Sequence, residues 1–275
     1  MSVPEGIRTL DAIRVPVRDR RQAEAFFGAV FGWDFDPVAD IADLAGGTAD
    51  VAGGTGDLAG GTAAVARQAG SADDLAPSAE LVFTTRDPGP VLCLSGSDPQ
   101  ADAERLALLG GRVRVAAATV TGTDPEGTLL HLSGQPGTTV PRAAGAGTAL
   151  RGTTPSSRAG GPRGVLGVIF VYVRDLDGAA DFYHEFCGWS FTAVGRDRDI
   201  LFAEVGPPLG LRPAAKKPDG QTGAVGFYVT VRAPARVAGD ILTRGGQAGP
   251  PQGAGAFTIR PCRDDQGTAF GLWSD

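Results

Sequence analysis

The chain contains the same segment twice. Residues 13–38, IRVPVRDRRQAEAFFGAVFGWDFDPV, align without a gap onto residues 169–194, IFVYVRDLDGAADFYHEFCGWSFTAV, and 11 of the 26 positions are identical. A second match pairs DPEGTLLHLSG at 124–134 with DDQGTAFGLWS at 264–274, so similar elements also close both halves. Two copies of one structural unit are the simplest source of such a pattern. The length of 275 residues agrees, because a single hydrophobic core rarely organises that many. The halves are read as domains spanning 1–135 and 164–275.

Two stretches do not fit the duplication. Residues 43–63 read DLAGGTA, DVAGGTG, DLAGGTA, a seven-residue repeat found only in the first half. A coiled coil is excluded, since two glycines per heptad would cost about 2 kcal/mol each time. The repeat is read as a surface loop inserted in the first domain, and residues 136–163, rich in Gly, Ala, Ser and Thr, as a flexible linker.

Within each half the order of elements repeats. The β-branched runs Ile13–Val17 and Ile169–Val173 lead to Arg-Asp, with Asp19 and Asp175 placed to cap a helix. Apolar residues then recur at helical spacing, and Gly32 and Gly188 stand where a left-handed C-terminal residue belongs, before Trp33 and Trp189. Strands are expected at 200–205, 209–212, 224–231, 256–262 and 268–273, and a helix near 233–244. The first half supplies strands at 91–95, 112–117 and 128–132 and a helix near 98–109. Each domain therefore holds two βαβββ-like modules, an α+β class.

Composition excludes several functions. No apolar run reaches 18 residues, and the start Met1-Ser-Val-Pro-Glu lacks the basic-then-apolar pattern of a secretory leader, so no membrane span is expected and a cytoplasmic location follows. Cys93, Cys187 and Cys262 are odd in number, far apart and without Cys-x-x-Cys spacing, and are read as inert thiols. A net charge of −6 opposes the basic stripe that nucleic-acid binding needs. Phosphate-loop, dinucleotide and G-x-S-x-G signatures are absent.

The motif V-R-D-L-D-x-A-A-x-F-Y-x-x-x-x-G-W-x-F at 173–191, its partner at 17–35, and the D-x-x-G-T segments at 124 and 264 resemble the vicinal oxygen chelate superfamily of glyoxalases, dioxygenases and bleomycin-resistance proteins. The resemblance covers about 10–135 and 164–275. It implies tandem domains, each of two paired βαβββ modules forming a half-open curved sheet with helices on the convex face and a metal or organic ligand on the concave face. Metal ligands of that family would fall at Ala12, near Val91 and at His131 in the first half, and at Val168, near Gly226 and at Gly271 in the second. Only His131 is a donor, and one ligand does not hold a metal. No metal and no cofactor are expected.

Strand alternation identifies the two sheet faces independently. One phase is apolar throughout: Ile13, Val15, Val17, Leu130, Leu132, Ile169, Val171, Val173, Phe227, Val229, Val231, Phe270 and Leu272. The other phase carries Arg14, Cys93, Ser95, His131, Phe170, Tyr172, Tyr228, Thr230 and Trp273, the expected ligand-binding residues. Aromatics with polar tips suit a flat organic molecule, and the same rings equally suit a dry core. The expected function is metal-independent sequestration or carriage of an aromatic natural product or antibiotic. The alternatives are an enzyme or accessory protein of aromatic polyketide biosynthesis using His131 as acid–base catalyst, a scaffold with a blocked concave face, and a metal-dependent glyoxalase or dioxygenase. A homodimer in which modules pair across chains stays open.

Overall fold

The computed structural model describes residues 8–38, 63–67, 80–85, 87–96, 98–116, 119–133, 164–194, 200–203, 205, 208–216, 222–254 and 257–274. The linker at 136–163 and all but the last residue of the repeat at 43–63 lie outside these. The first half runs β1 (Thr9–Pro16), α1 (Arg20–Phe31), β2 (Asp34–Val38), β3 (Ala63–Arg67), β4 (Glu80–Thr84), β5 (Val91–Ser95), α2 (Pro99–Leu108), β6 (Arg112–Ala116), β7 (Thr119–Thr123) and β8 (Leu129–Ser133). The second runs β9 (Gly164–Val173), α3 (Leu176–Cys187), β10 (Thr192–Val194), β11 (Ile200–Ala203), β12 (Leu209–Pro213), β13 (Ala224–Val231), α4 (Pro234–Thr243), β14 (Gln247–Ala248), β15 (Gln252–Ala254), β16 (Phe257–Arg263) and β17 (Ala269–Ser274).

Each half forms one open sheet, ordered β2-β3-β4-β1-β5-β8-β7-β6 and β10-β11-β12-β9-β13-β17-β16-β14. The modules pair within one chain, through the antiparallel contacts β1–β5 and β9–β13. Both joints carry a register shift, between Leu10 and Ala12 and between Tyr228 and Val229. The expected class and module order hold. Strands β2, β3, β4, β7, β14 and β15 were not anticipated: β2 and β3 flank the repeat, Thr119–Thr123, TVTGT, has a single apolar residue, and β14 and β15 are only two and three residues long.

The helix boundaries follow from capping chemistry. Asp19 accepts a hydrogen bond from the Gln22 N–H and Asp175 one from the Gly178 N–H. Gly32 and Gly188 both end their helices at φ 74°, a conformation that a side chain would strain. Pro99 and Pro234 begin α2 and α4, where a missing N–H costs nothing. Among the described residues no helix is long and apolar enough to cross a membrane.

All the residues of the apolar phase lie in one core that spans both halves. Helix α1 is sandwiched: Phe27 packs on Phe83 of its own sheet at 5.0 Å and on Phe227 and Phe270 of the other at 6.1 and 5.1 Å between ring centroids. The sheets therefore cover a shared helical layer and turn their other faces outward. Trp33 and Trp189 secure this arrangement reciprocally. The Trp33 indole N–H donates to the Gly164 carbonyl at 2.9 Å, and that of Trp189 to the Arg8 carbonyl at 2.8 Å. Arg8 itself is buried, bonded to Asp102 and to the Phe186 carbonyl at the end of α3.

The closing turns repeat the exchange. Gln266 accepts from the Asp19 N–H at 2.5 Å, and Glu126 from the Asp175 N–H at 3.4 Å. Asp124 accepts from the Thr128 N–H at 2.7 Å and, with its second oxygen, from the Tyr183 hydroxyl of the opposite half at 2.9 Å. Asp264 accepts from the Thr268 N–H at 2.7 Å, but its second oxygen is buried without a partner. The residue aligned with Tyr183 is Phe27, which has no hydroxyl to offer. Tyr183→Phe should destabilise the protein by about 1–3 kcal/mol by orphaning the Asp124 oxygen, whereas Phe27→Tyr should stabilise it by about 1 kcal/mol. Urea denaturation of both variants checks the pair, and destabilisation by Phe27→Tyr would mean that the new hydroxyl does not reach Asp264.

Candidate functional site

The outward face of the first sheet is polar. Strand register places Ala12, Cys93, His131 and Thr121 in one row across β1, β5, β8 and β7. Arg14 lies one step along β1 and forms an ion pair with Asp87 at 3.2 Å; both side chains are largely buried. At the other end of the row Asp11 accepts from the Thr9 hydroxyl at 2.8 Å and the Ser95 hydroxyl at 3.2 Å. His131 is only 5% exposed.

Burial governs the acid–base properties here. It raises Asp87 above the usual carboxylate range, with the Arg14 guanidinium pulling the other way. It raises Asp11 likewise, against the hydrogen bonds from Thr9 and Ser95. Burial pushes the Cys93 thiol up to about 12, opposed by Arg14 and reinforced by Asp87 and Asp11. A thiol held protonated is a poor nucleophile, which agrees with the expectation of inertness. Cys262, pushed up to about 12, and Cys187, also raised, are buried. The site can offer hydrogen bonds and a matched charge pair, and His131 brings an imidazole to the same row.

The outward face of the second sheet is filled with rings. Phe170, Tyr172, Tyr228 and Trp273 join Phe202, Ile200, Ile259 and Val168 in a cluster separate from the shared core, and none is more than 9% exposed. Phe170 meets the Tyr228 ring edge-on at 5.2 Å, and the hydroxyls of Tyr172 and Tyr228 are 2.5 Å apart. The Arg212 guanidinium lies over Phe170 at 5.2 Å and Tyr172 at 6.0 Å. Burial raises the Tyr228 hydroxyl well above its ordinary pKa. Thr230 is half-buried, its hydroxyl against Gly167 on the neighbouring β9.

The expected ligand residues thus fall into two groups. Arg14, Cys93, Ser95 and His131 share the first sheet, while Phe170, Tyr172, Tyr228, Thr230 and Trp273 share the second. Asp87, Asp11 and Arg212 were missed. Asp87 sits in the β4–β5 connection with no motif around it, and only the fold brings it to Arg14.

The positions that would carry metal ligands hold Ala12, His131, Val168, Gly226 and Gly271, with Val91 the strand partner of Arg14. Among the described residues no three of His, Cys, Asp and Glu come together as a metal set. In the second half a Cβ at Gly271 would already overlap the Tyr228 ring, so no ligating side chain fits there. These residues do not suit a divalent ion.

No protein-family model and no curated protein matches the sequence. Solved structures do. A Mn(II)-bound glyoxalase from Novosphingobium aromaticivorans is 16% identical with TM-score 0.54, over 97% of this chain and 82% of that one. The 2,3-dioxygenase LapB from a Pseudomonas species is 12% identical with TM-score 0.55, over 98% and 93%. A 2,2',3-trihydroxybiphenyl 1,2-dioxygenase from Sphingomonas wittichii is 14% identical with TM-score 0.53, over 98% and 91%. The chain has the vicinal oxygen chelate fold. Within this fold its tandem halves have diverged on their outward faces while keeping one inward face in common.

Asp87 provides a pH test. A carboxyl raised on folding contributes stability that is fully present below its unfolded pKa and is lost as pH rises through the folded one. The melting temperature of the wild type minus that of Asp87→Asn should therefore fall between about pH 3.5 and pH 7. A difference that grows with pH would show that the ion pair with Arg14 outweighs burial.

Proposed function

We propose that the chain is a metal-independent small-molecule binding protein, of the sequestering or carrying kind, whose ligand lies on the outward face of the first half. The observation that carries this reading is the pairing of the fold with its residues. Positions that would ligate a metal hold Ala12 and His131 in the first half and Val168 and Gly271 in the second, yet the first face keeps Arg14, Ser95 and His131 as hydrogen-bonding groups. Arg14 is charge-matched by Asp87, so the face suits an uncharged or weakly polar molecule. A flat aromatic natural product or antibiotic with a few hydroxyl or carbonyl groups has that chemistry. Binding alone needs only burial and a few hydrogen bonds, with no group acting on the ligand.

A second reading has its own support. His131 is buried and stands across the strand pair from Cys93, and an imidazole on a ligand-binding face is a useful general base. An enzyme or accessory protein of natural-product biosynthesis would use it so. The structural neighbours named as a Mn(II)-bound glyoxalase and as dioxygenases motivate a metal-dependent variant of this reading.

Calorimetric titration with a panel of aromatic antibiotics and polyketides, on protein whose metal content has been measured, separates the readings. Sequestration predicts micromolar or tighter binding by metal-free protein, weakened about tenfold in Arg14→Ala. His131→Ala should lose about as much affinity and reveal no lost turnover. A variant that binds normally but no longer converts the compound would establish the enzyme. Stoichiometric Mn(II) or Fe(II) required for binding would overturn the metal-independent reading altogether.

A further inference from the structure

Register places two of the rings on the second sheet's outward face, Tyr228 and Phe170, beside glycines. Tyr228 lies opposite Gly271 on β17, and Phe170 lies between Gly210 on β12 and Gly226 on β13. A Cβ at Gly271 would overlap the Tyr228 ring, and one at Gly210 the Phe170 ring, while one at Gly226 would stand 3.4 and 3.5 Å from the rings of Tyr172 and Tyr228. The rings thus lean over neighbouring strands, into space that a side chain at Gly210 or Gly271 would need, and fill the concavity instead of lining it. In the first half the bulk is exchanged between the same two strands. Cys93 stands where Tyr228 does and His131 where Gly271 does, since the pairs Cys93–His131 and Tyr228–Gly271 occupy equivalent register positions.

We propose that the second half is a self-filled ligand site, in which the Tyr228 side chain takes the place of a bound phenol. Its hydroxyl is met by the Tyr172 hydroxyl at 2.5 Å, and the Arg212 guanidinium stands over the adjoining rings with a buried Nε that has no hydrogen-bond partner. The ring itself is held edge-on against Phe170 at 5.2 Å. These are the elements with which a site recognises a planar phenol: an apolar slot, a ring edge and hydroxyl and cationic groups at its polar end. The wild-type second half consequently takes no ligand, and the site opens to phenols when the tethered one is removed. The inference holds whether or not the first half binds a molecule, because it concerns different residues.

Chemical complementation tests it. In Tyr228→Ala, phenol replaces the missing ring and hydroxyl and should raise the melting temperature by about 2–4 °C at saturation, benzene should raise it less, and the wild type should not respond to either. An unresponsive folded variant, or a wild type stabilised equally, would overturn the proposal. A cycle with Gly271 keeps the idea testable if Tyr228→Ala does not fold. Gly271→Ala should lower the melting temperature in the wild type, and Tyr228→Cys with Gly271→His, the first half's own pair, should melt higher than Tyr228→Cys alone. Gly271→Ala without effect, or a double variant melting below the single one, would show that the ring does not occupy that space.

Discussion

Two indole hydrogen bonds hold the molecule to its plan: each tryptophan that follows a repeated helix donates to a backbone carbonyl of the opposite half. A buried N–H needs an acceptor, and in each half that acceptor is supplied at the start of the other half's first strand. The same reciprocity appears in the closing turns, where Glu126 and Gln266 each bond the backbone of the other half's helix cap. Phe27 and Tyr183 stack on Trp33 and Trp189 in matching geometry, at 5.7 and 5.6 Å, so the repeated motif is an interface motif as much as a folding one. Satisfying these contacts forces the helices between the sheets. The inward face of each sheet then has to stay apolar, and only the outward faces are free to change.

That freedom explains why two copies of one unit have such different surfaces. The first outward face kept short and polar residues, among them Arg14, Cys93, Ser95 and His131. The second gained Phe170, Tyr172, Tyr228 and Trp273, together with glycines against the rings of the first three. Burying an aromatic side chain contributes roughly 1.5–3 kcal/mol, so filling the second concavity strengthens that half at the expense of any site in it. One polar outward face and one filled with rings are the result.

Much of this was legible along the chain. Asp19, Gly32, Asp175 and Gly188 announce helix ends because capping is a matter of adjacent residues. The alternation of β1, β8, β9, β13 and β17 separates core-facing from outward-facing positions, and all the apolar-phase residues are in the core. Other features were hidden. The repeat at 43–63 obscured β2 and β3, and β7 carries too few apolar residues to declare itself. Trp33 and Trp189 follow the two repeated helices at matched positions, but nothing local says that their partners belong to the opposite half. Asp87, Asp11 and Arg212 have no motif, since each matters only through a neighbour distant in sequence.

The sequence by itself determined the duplicated architecture, the module order and the two phases of each sheet, because repeats, caps and strand alternation are all written in short-range spacing. It also determined which residue types stand where the resemblance implies metal ligands. Only the tertiary structure decided what the outward phase does. Whether a tyrosine lines a cavity or fills it depends on the residue across the strand pair, and Gly271 lies beside Tyr228 through a register set by long-range pairing. Cross-strand register is a property of the assembled sheet, so the same phase became a polar face around Arg14 and His131 in one half and a closed aromatic cluster in the other.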